Sequence, residues 1–422
     1  MKAFLLHLRA SYIKWTLLAL VVLDLAFLFL RTNFWIGIWP ETGAAAQVPA
    51  FFLSILASGA AATASGFRAT RNLEEQFSAA SLSKSRIELH RLGALVAVFL
   101  APYLIGHAVA FVMTARTFPP GAELWFGYVL MGASTIFLAA GWGWAIGKLL
   151  SPIMAALCSV LSWIIVVSTL GSSTDMIVTS GPPWRMVDLT SVSLRLLVAT
   201  AFLFTITWLP SRINRTSLRE PSLAITACAV VAVGATIVST TAVVDRQAPT
   251  RLHCIDGAIE ICLWPEHEKY IPIAKSTNER VASLPSGFKV PKRLSEYGTK
   301  KIISKGPTGT TVETGGDFDI SEGSRWALAL GIADAVTAET FQNCDWNKVR
   351  ENEDYTADVI NHWIETYLAG GGSPDYKIGA GAPPKLLEEF EEASRVANTL
   401  PEEKQLKWLE GKVNHMNQNY CG

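Results

Sequence analysis

Residues 223–244 read LAITACAVVAVGATIVSTTAVV, and residues 245–249, which follow at once, read DRQAP. The first stretch is 22 residues without a charge. A bilayer core of about 30 Å takes roughly 20 apolar residues of helix, so this stretch is long enough to cross one. Asp245 ends it, and from there to the C-terminus the composition is polar and charged. The long apolar runs all lie before this point. The chain therefore divides into a membrane unit, residues 15–245, and a water-facing unit, residues 246–422, long enough to bury its own core. Over all 422 residues only 17% are charged, below the roughly 25% of an ordinary soluble domain. The formal net charge is zero, which leaves no electrostatic footprint for nucleic acid.

Going back toward the N-terminus, further spans are expected at 15–30, 48–66, 92–113, 124–147, 151–170 and 192–209. Lys and Arg in the short connections then orient the bundle. Lys2, Arg9 and Lys14, then Arg68, Arg71, Lys84, Arg86 and Arg91, then Lys148, then Arg212, Arg215 and Arg219 all fall on one face of a seven-span arrangement. The other face holds only Arg116 and Arg185, with Arg31 at a helix end. This places the N-terminus in the cytoplasm and the C-terminal unit outside the cell membrane. The small residues Ala44-Ala45-Ala46 offer a signal-peptidase site, but they lie too far beyond a first span that is itself long enough to stay in the membrane. The expected fold class is mainly α: a polytopic bundle of about seven helices, then a mostly helical extracytoplasmic domain with a small β part and disulfides.

Two ionisable residues lie inside the spans, Asp24 and His107. Such groups are costly in a bilayer and are functional candidates for that reason. The simpler expectation is that Asp24 faces the bundle and accepts hydrogen bonds from nearby Ser or Thr. Arg195, near the end of span six, can extend to the interface. Gly143 and Gly147 have the GxxxG spacing that lets helices approach closely, within one chain or between two. Gly147-Lys148 is no phosphate loop, because Leu149 stands where a Ser or Thr is needed. The chain carries no other Walker-type sequence, and no catalytic nucleophile or cofactor site is expected.

Two cytoplasmic segments carry helical patterning. Residues 1–14 place Phe4, Leu5, Leu8 and Tyr12 on one stripe, with Lys2, Arg9 and Lys14 off it, as an interfacial helix does. Within 67–91, Leu73, Phe77 and Ala80 share a stripe, and Glu74, Glu75 and Gln76 lie on the other side. That segment either docks a partner or lies on the membrane surface. An amphipathic basic N-terminus, two spans, and a cytoplasmic helix running from Arg71 through Glu74 and Glu75 to Arg86 together resemble the ABC-2-type permease subunits of bacterial ABC exporters. The resemblance covers roughly residues 1–209. It implies a separately encoded ABC ATPase as partner, a homo- or heterodimer of membrane subunits, and Arg71, Glu74, Glu75, Phe77 and Arg86 as the coupling surface. Those permeases usually have six spans and a cytoplasmic C-terminus. The seventh span and external unit here are similar to permease-like bacterial membrane proteins with an extracytoplasmic C-terminal domain of unknown role.

Cysteine placement is the most informative feature of the second unit. Cys158 and Cys228 lie in spans and read as small core residues. Cys254, Cys262, Cys344 and Cys421 all follow the last span. An even set on the outer side suggests two disulfides. The favoured pairing closes a short loop, Cys254–Cys262, and ties the chain end to the domain body, Cys344–Cys421. A strand pair is expected over 251–264, with a β excursion over 306–316 and a loop at 370–374. Helices are expected over 266–284 (with Pro272 as a possible break), 322–341, 352–368, 384–398 and 401–417. Glu266-His267-Glu268 reads as the acidic first turn of a helix behind Pro265. Asp354, Asp358, His362 and Glu365 share a helical face that can bind a divalent cation or, more simply, meet solvent. The reading that competes with the permease is a membrane-anchored sensor or interaction protein whose outer domain binds a partner.

Overall fold

A computed structural model describes residues 11–30, 32–66, 84–171, 174–208, 232–235, 240–306, 309–320, 323–374 and 383–421. The contacts divide the chain into two compact units, Met1–Asp245 and Arg246–Gly422. The described part is mainly helical, with three small sheets.

The first unit opens with α1 (Ser11–Phe29), a short α2 (Thr32–Trp35), α3 (Trp39–Gln47) and α4 (Pro49–Gly66). It continues with α5 (Lys84–Ala115), α6 (Trp125–Leu149), α7 (Pro152–Leu170) and α8 (Leu189–Ile206). Five helical stretches are long and apolar enough to cross a membrane: Trp39–Ser65, Ser85–Ala115, Ala122–Leu149, Pro152–Leu170 and Leu189–Ile206. Trp15–Phe29 forms a shorter apolar helix. Most of the expected seventh span lies outside the described residues, as do residues 1–10 of the expected interfacial helix and Cys228.

Helix α6 is the centre of this unit. Its glycines let neighbours sit against its backbone, where any side chain would intrude. A Cβ on Gly143 would lie 2.7 Å from the Ser58 carbonyl carbon of α4 and 2.9 Å from its Cα. One on Gly147 would meet Ala62 and Ser65, and one on Gly141 would meet Phe202 and Leu203 of α8. The GxxxG pair thus serves packing within the chain, against α4. Across the same interface α4 meets α7, where the Ser58 and Ser159 hydroxyls pair at 2.5 Å and the Trp163 indole donates to Ser54 at 2.9 Å.

Span two starts at Trp39 rather than at residue 48, and Ala44–46 lie inside α3, with Ala44 and Ala46 buried. Val48 keeps helical angles between α3 and α4, so the break is only nominal. Lys84, Arg86 and Arg91 belong to α5, and Ser11–Lys14 to α1. Val243 and Val244 are strand, not the end of a helix: β2 (Val243–Asp245) pairs antiparallel with β1 (Arg185–Val187). The Asp188 amide also donates to the Ala242 carbonyl at 2.8 Å. Arg195 does not extend to the interface. It is buried, donating from Nη1 to the Thr174 carbonyl at 2.7 Å and from Nε to Thr240 Oγ1 at 3.0 Å. Cys158 is half-buried rather than a core residue.

The second unit is built on a three-stranded sheet, β3 (His253–Ile255), β4 (Glu260–Leu263) and β5 (Arg293–Ser295). Strand β3 runs antiparallel and β5 parallel to the central β4. Ile261, Cys262, Leu263 and Trp264 are fully buried. A 3₁₀ turn (Pro265–Tyr270) leads into α9 (Ile271–Val281), where Pro272 sits in the first turn and starts the helix instead of breaking it. A hairpin of β6 (Lys300–Gly306) and β7 (Gly309–Gly315) follows. The rest is helical: α10 (Arg325–Thr340), α11 (Trp346–Glu351), α12 (Thr356–Ala369), α13 (Pro384–Thr399) and α14 (Glu402–Asn419). Helix α12 is sandwiched, packing on α10 on one side and on α13 and α14 on the other. It is therefore buried around most of its circumference, with Ile360, Trp363 and Ile364 at zero exposure. Gly370 ends it in the left-handed conformation (φ +88°), as a glycine at that position allows without strain. Cys254 bonds Cys262, directly opposite it across β3 and β4, and Cys344 bonds Cys421. The favoured pairing is the one present.

Candidate functional site

In the first unit the inward stripe of α5 runs Phe99, Tyr103, Gly106, His107, Ala110 and Thr114, while Leu104, Ile105 and Val112 face outward. On α1 the inward stripe is Leu20, Asp24 and Leu28, with Leu18 and Val22 exposed. These stripes meet where α1 packs on α5. Asp24 and His107 are each only 1% exposed. The Asp24 carboxylate lies against the bare backbone of Gly106, the residue before His107. A Cβ there would come within 2.9 Å of its Cγ. The His107 ring stands edge-on to Tyr103 and Trp125, with centroids 4.5 and 5.6 Å away. The Tyr103 hydroxyl is committed to the Tyr128 and Val129 carbonyls at 2.9 and 3.2 Å. Neither oxygen of Asp24 and neither nitrogen of His107 has a hydrogen-bond partner among the described residues. The Ser and Thr partners expected for Asp24 are not found among the described residues.

One end of the bundle is charged. Lys148, at the end of α6, is buried and ion-paired with Glu88 near the start of α5. Its ammonium also donates to the Ile206 and Thr207 carbonyls at 3.0 and 3.3 Å, where α8 ends. Arg91 donates to the Ala64 carbonyl of α4 at 2.6 Å and lies over the Trp144 ring. Four helix ends are thereby tied at one level. Of the expected coupling residues, Arg86 is exposed on the first turns of α5, while Arg71, Glu74, Glu75 and Phe77 lie outside the described residues.

The face that carries Asp354, Asp358, His362 and Glu365 does not converge on one site. His362 and Glu365 are buried, not solvated. His362 Nδ1 lies 3.2 Å from Glu365 Oε2, and its Nε2 lies 2.8 Å from the Ser394 hydroxyl of α13. That order is the connectivity of a hydroxyl nucleophile, a base and an orienting carboxylate. Ser394 sits in the interior of α13, however, where the helical ladder takes up the neighbouring backbone N–H groups, so its own helix offers it no oxyanion hole. The chain of bonds cross-links α12 to α13. Asp358 stays on the exposed side of α12, where partial desolvation and the charge of Asp334 push its carboxyl up.

Asp354 points elsewhere. It accepts from the Thr356 amide at 2.9 Å, His415 Nε2 at 2.7 Å and the Tyr420 hydroxyl at 2.8 Å. Burial alone would raise its pKa. The bonds from Thr356, His415 and Tyr420 outweigh that and hold the carboxyl well below the usual range. Asp354, Thr356 and His415, with Lys385, Glu389 and Lys412, line a polar cavity of about 350 Å³. His267, read from sequence as part of an acidic helix start, is fully buried and bonded to the equally buried Glu296 at 2.5 Å. Glu296 also accepts from the Trp264 amide at 2.9 Å, and Glu266 pairs with Arg246 at 2.6 Å. Sequence reasoning missed Glu296 and Ser394. A carboxylate after a short strand and a serine within a polar helix carry no local signal. Among the described residues, only Cys254, Glu260 and Cys262 bring three metal-capable groups together, and both sulfurs are spent in a disulfide.

No family model, no curated protein and no solved structure matches this chain.

Proposed function

We propose that the chain is the permease-type membrane subunit of an ABC exporter, working as a dimer of membrane subunits and powered by a separately encoded ATPase. The observation that carries this reading is the linkage at the charged end of the bundle. Helix α5 is continuous from Lys84 and carries Arg86 in its first turn, so a push on Arg86 would pass directly into it. Two residues after Arg86, Glu88 grips Lys148, and Lys148 grips the end of α8. Force applied at one cytoplasmic helix therefore reaches α5, α6 and α8 together.

In this proposal the chain has seven spans. Helix α8 is 18 residues long, about 27 Å, and ends at the Lys148 level. Yet β2, after residue 242, pairs with β1, which precedes α8. A chain that leaves by one end of α8 and rejoins at the other has to cross back, and the apolar stretch at 223–242 supplies the crossing. The Lys and Arg bias then sets the N-terminus inside and the second unit outside, where paired cysteines persist. The second reading, a membrane-anchored sensor, draws on the polar cavity around Asp354 and His415.

Purification of the full chain in mild detergent, with Arg71→Glu/Arg86→Glu as control, tests the proposal. An ABC ATPase that accompanies the parent chain and is lost from the variant supports it. An outer unit that captures a partner while no ATPase appears in either sample would replace it with the sensor reading.

A further inference from the structure

Burying an ionised carboxylate with no partner is expensive in any apolar setting and more so inside a bundle of this kind. Asp24 could have been relieved by a hydroxyl at little structural cost, since Ser and Thr elsewhere in this bundle bond freely across helices. Instead its carboxylate is seated on Gly106, and the next residue of the same helix, His107, is a second buried titratable group with both nitrogens unsatisfied. A metal ion at this place would need several oxygen or nitrogen ligands. The neighbours do not supply them: Tyr103 is committed to carbonyls, Gly106 has no side chain, and Trp125 offers an aromatic face and an N–H donor. A proton needs no such shell.

We propose that Asp24 and His107 form an intramembrane proton-binding site, loaded and emptied from the aqueous phase past Trp125. This goes beyond the permease reading and does not depend on it. The site is shared by α1 and α5. Gly106 sets the approach of the carboxyl, and Tyr103 and Trp125 wall the imidazole. Trp125 is the first residue of α6 and is only half-buried, and its indole N–H is also unpartnered, so it bridges the site and the water-facing end of the bundle. Glu123, two residues before Trp125, is exposed at the entry side, and the other titratable groups described on the elements packed here are engaged or remote. Glu41 of α3 accepts from Ser180 at 2.7 Å, and Arg195 of α8 holds Thr174 and Thr240. Tyr128 of α6 is buried over Gly43. On α5 itself, Arg91 lies 15 residues before Gly106, about 22 Å along the helix, and Glu88 and Lys148 lie beyond it.

The test is infrared titration of the full-length chain in lipid nanodiscs, with ¹³C-labelled Asp carboxyls. A protonated Asp band that bleaches reversibly as pH rises through about pH 5 to 9, where solvent-exposed Asp is already ionised, is expected. It shifts on transfer to D₂O, is absent in Asp24→Asn, and has its midpoint moved by a pH unit or more in His107→Gln and in Gly106→Ala. A band that neither titrates nor shifts in D₂O marks a static buried carboxyl and overturns the proposal. So does a titrating band that survives in Asp24→Asn. Should Asp24→Asn fail to fold, the labelled parent chain and Gly106→Ala decide: a midpoint unmoved by Gly106→Ala rejects the site.

Discussion

The two disulfides of the second unit differ in what they close. Cys254 and Cys262 are 8 residues apart, and Cys344 and Cys421 are 77 apart. A cross-link stabilises chiefly by restricting the unfolded chain, with an entropy that grows as the logarithm of loop length. That relation gives about 2.5 kcal/mol for the short loop and about 4.5 kcal/mol for the long one at 25 °C. The native structure should survive loss of the long link. Asp345 donates its amide to the Tyr420 carbonyl at 2.8 Å, Lys348 holds the Asn419 carbonyl at 2.9 Å, and Leu409 and Met416 of α14 are fully buried. The loss should therefore register as stability, not as a displaced α14. Hydrogen exchange of the α12 amides, measured on the full chain by mass spectrometry, reads it out, because this helix is buried around most of its circumference. Cys254→Ala/Cys262→Ala should lower protection there by about 70-fold, and Cys344→Ala/Cys421→Ala by about 2,000-fold, a difference of about 30-fold. Equal losses, or a greater loss from the short loop, would refute the loop-length reasoning. They would assign the stabilisation to strand pairing at β3 and β4 instead.

Two more expectations follow from particular contacts. Gly143→Val forces side-chain atoms into the Ser58 backbone and should cost about 3 kcal/mol or more, read as a lowered melting temperature in detergent. Gly93→Ala, with open space around it, should be neutral or slightly stabilising. Asp354→Asn should destabilise the second unit at neutral pH. Because the folded-state pKa is depressed, the carboxylate's contribution is complete above the unfolded value of about 3.9 and is lost as pH falls through the folded one. The gap between parent and variant in a pH series of urea titrations should thus close in acid. A gap that widens in acid would contradict the assignment of Thr356, His415 and Tyr420 as its stabilising partners.

The amino-acid sequence by itself determined whatever depends on composition over a window. Apolar runs long enough to cross a bilayer, a polar remainder after Asp245, and four cysteines confined to that remainder are properties of the chain before it folds. So are the starts of α13 and α14, because Pro384 at a first helical turn and Glu402 with Glu403 in another act locally. The tertiary structure decided whatever depends on which surface a neighbour covers. Periodicity placed His362 and Glu365 on a polar face, and only the sandwiching of α12 between α10 and the last two helices turned that face inward. Arg195 reads as an interfacial residue until Thr174 and Thr240 are folded around it. Gly143 and Gly147 carry a close-approach signal with no address, and α4 supplies it. Asp24 and Gly106 are 82 residues apart, and nothing in either neighbourhood announces the other. Local propensity acts through a few bonds along the chain, whereas burial and contact are set by elements far apart in sequence, so a one-dimensional reading finds the helices and leaves their faces to the fold.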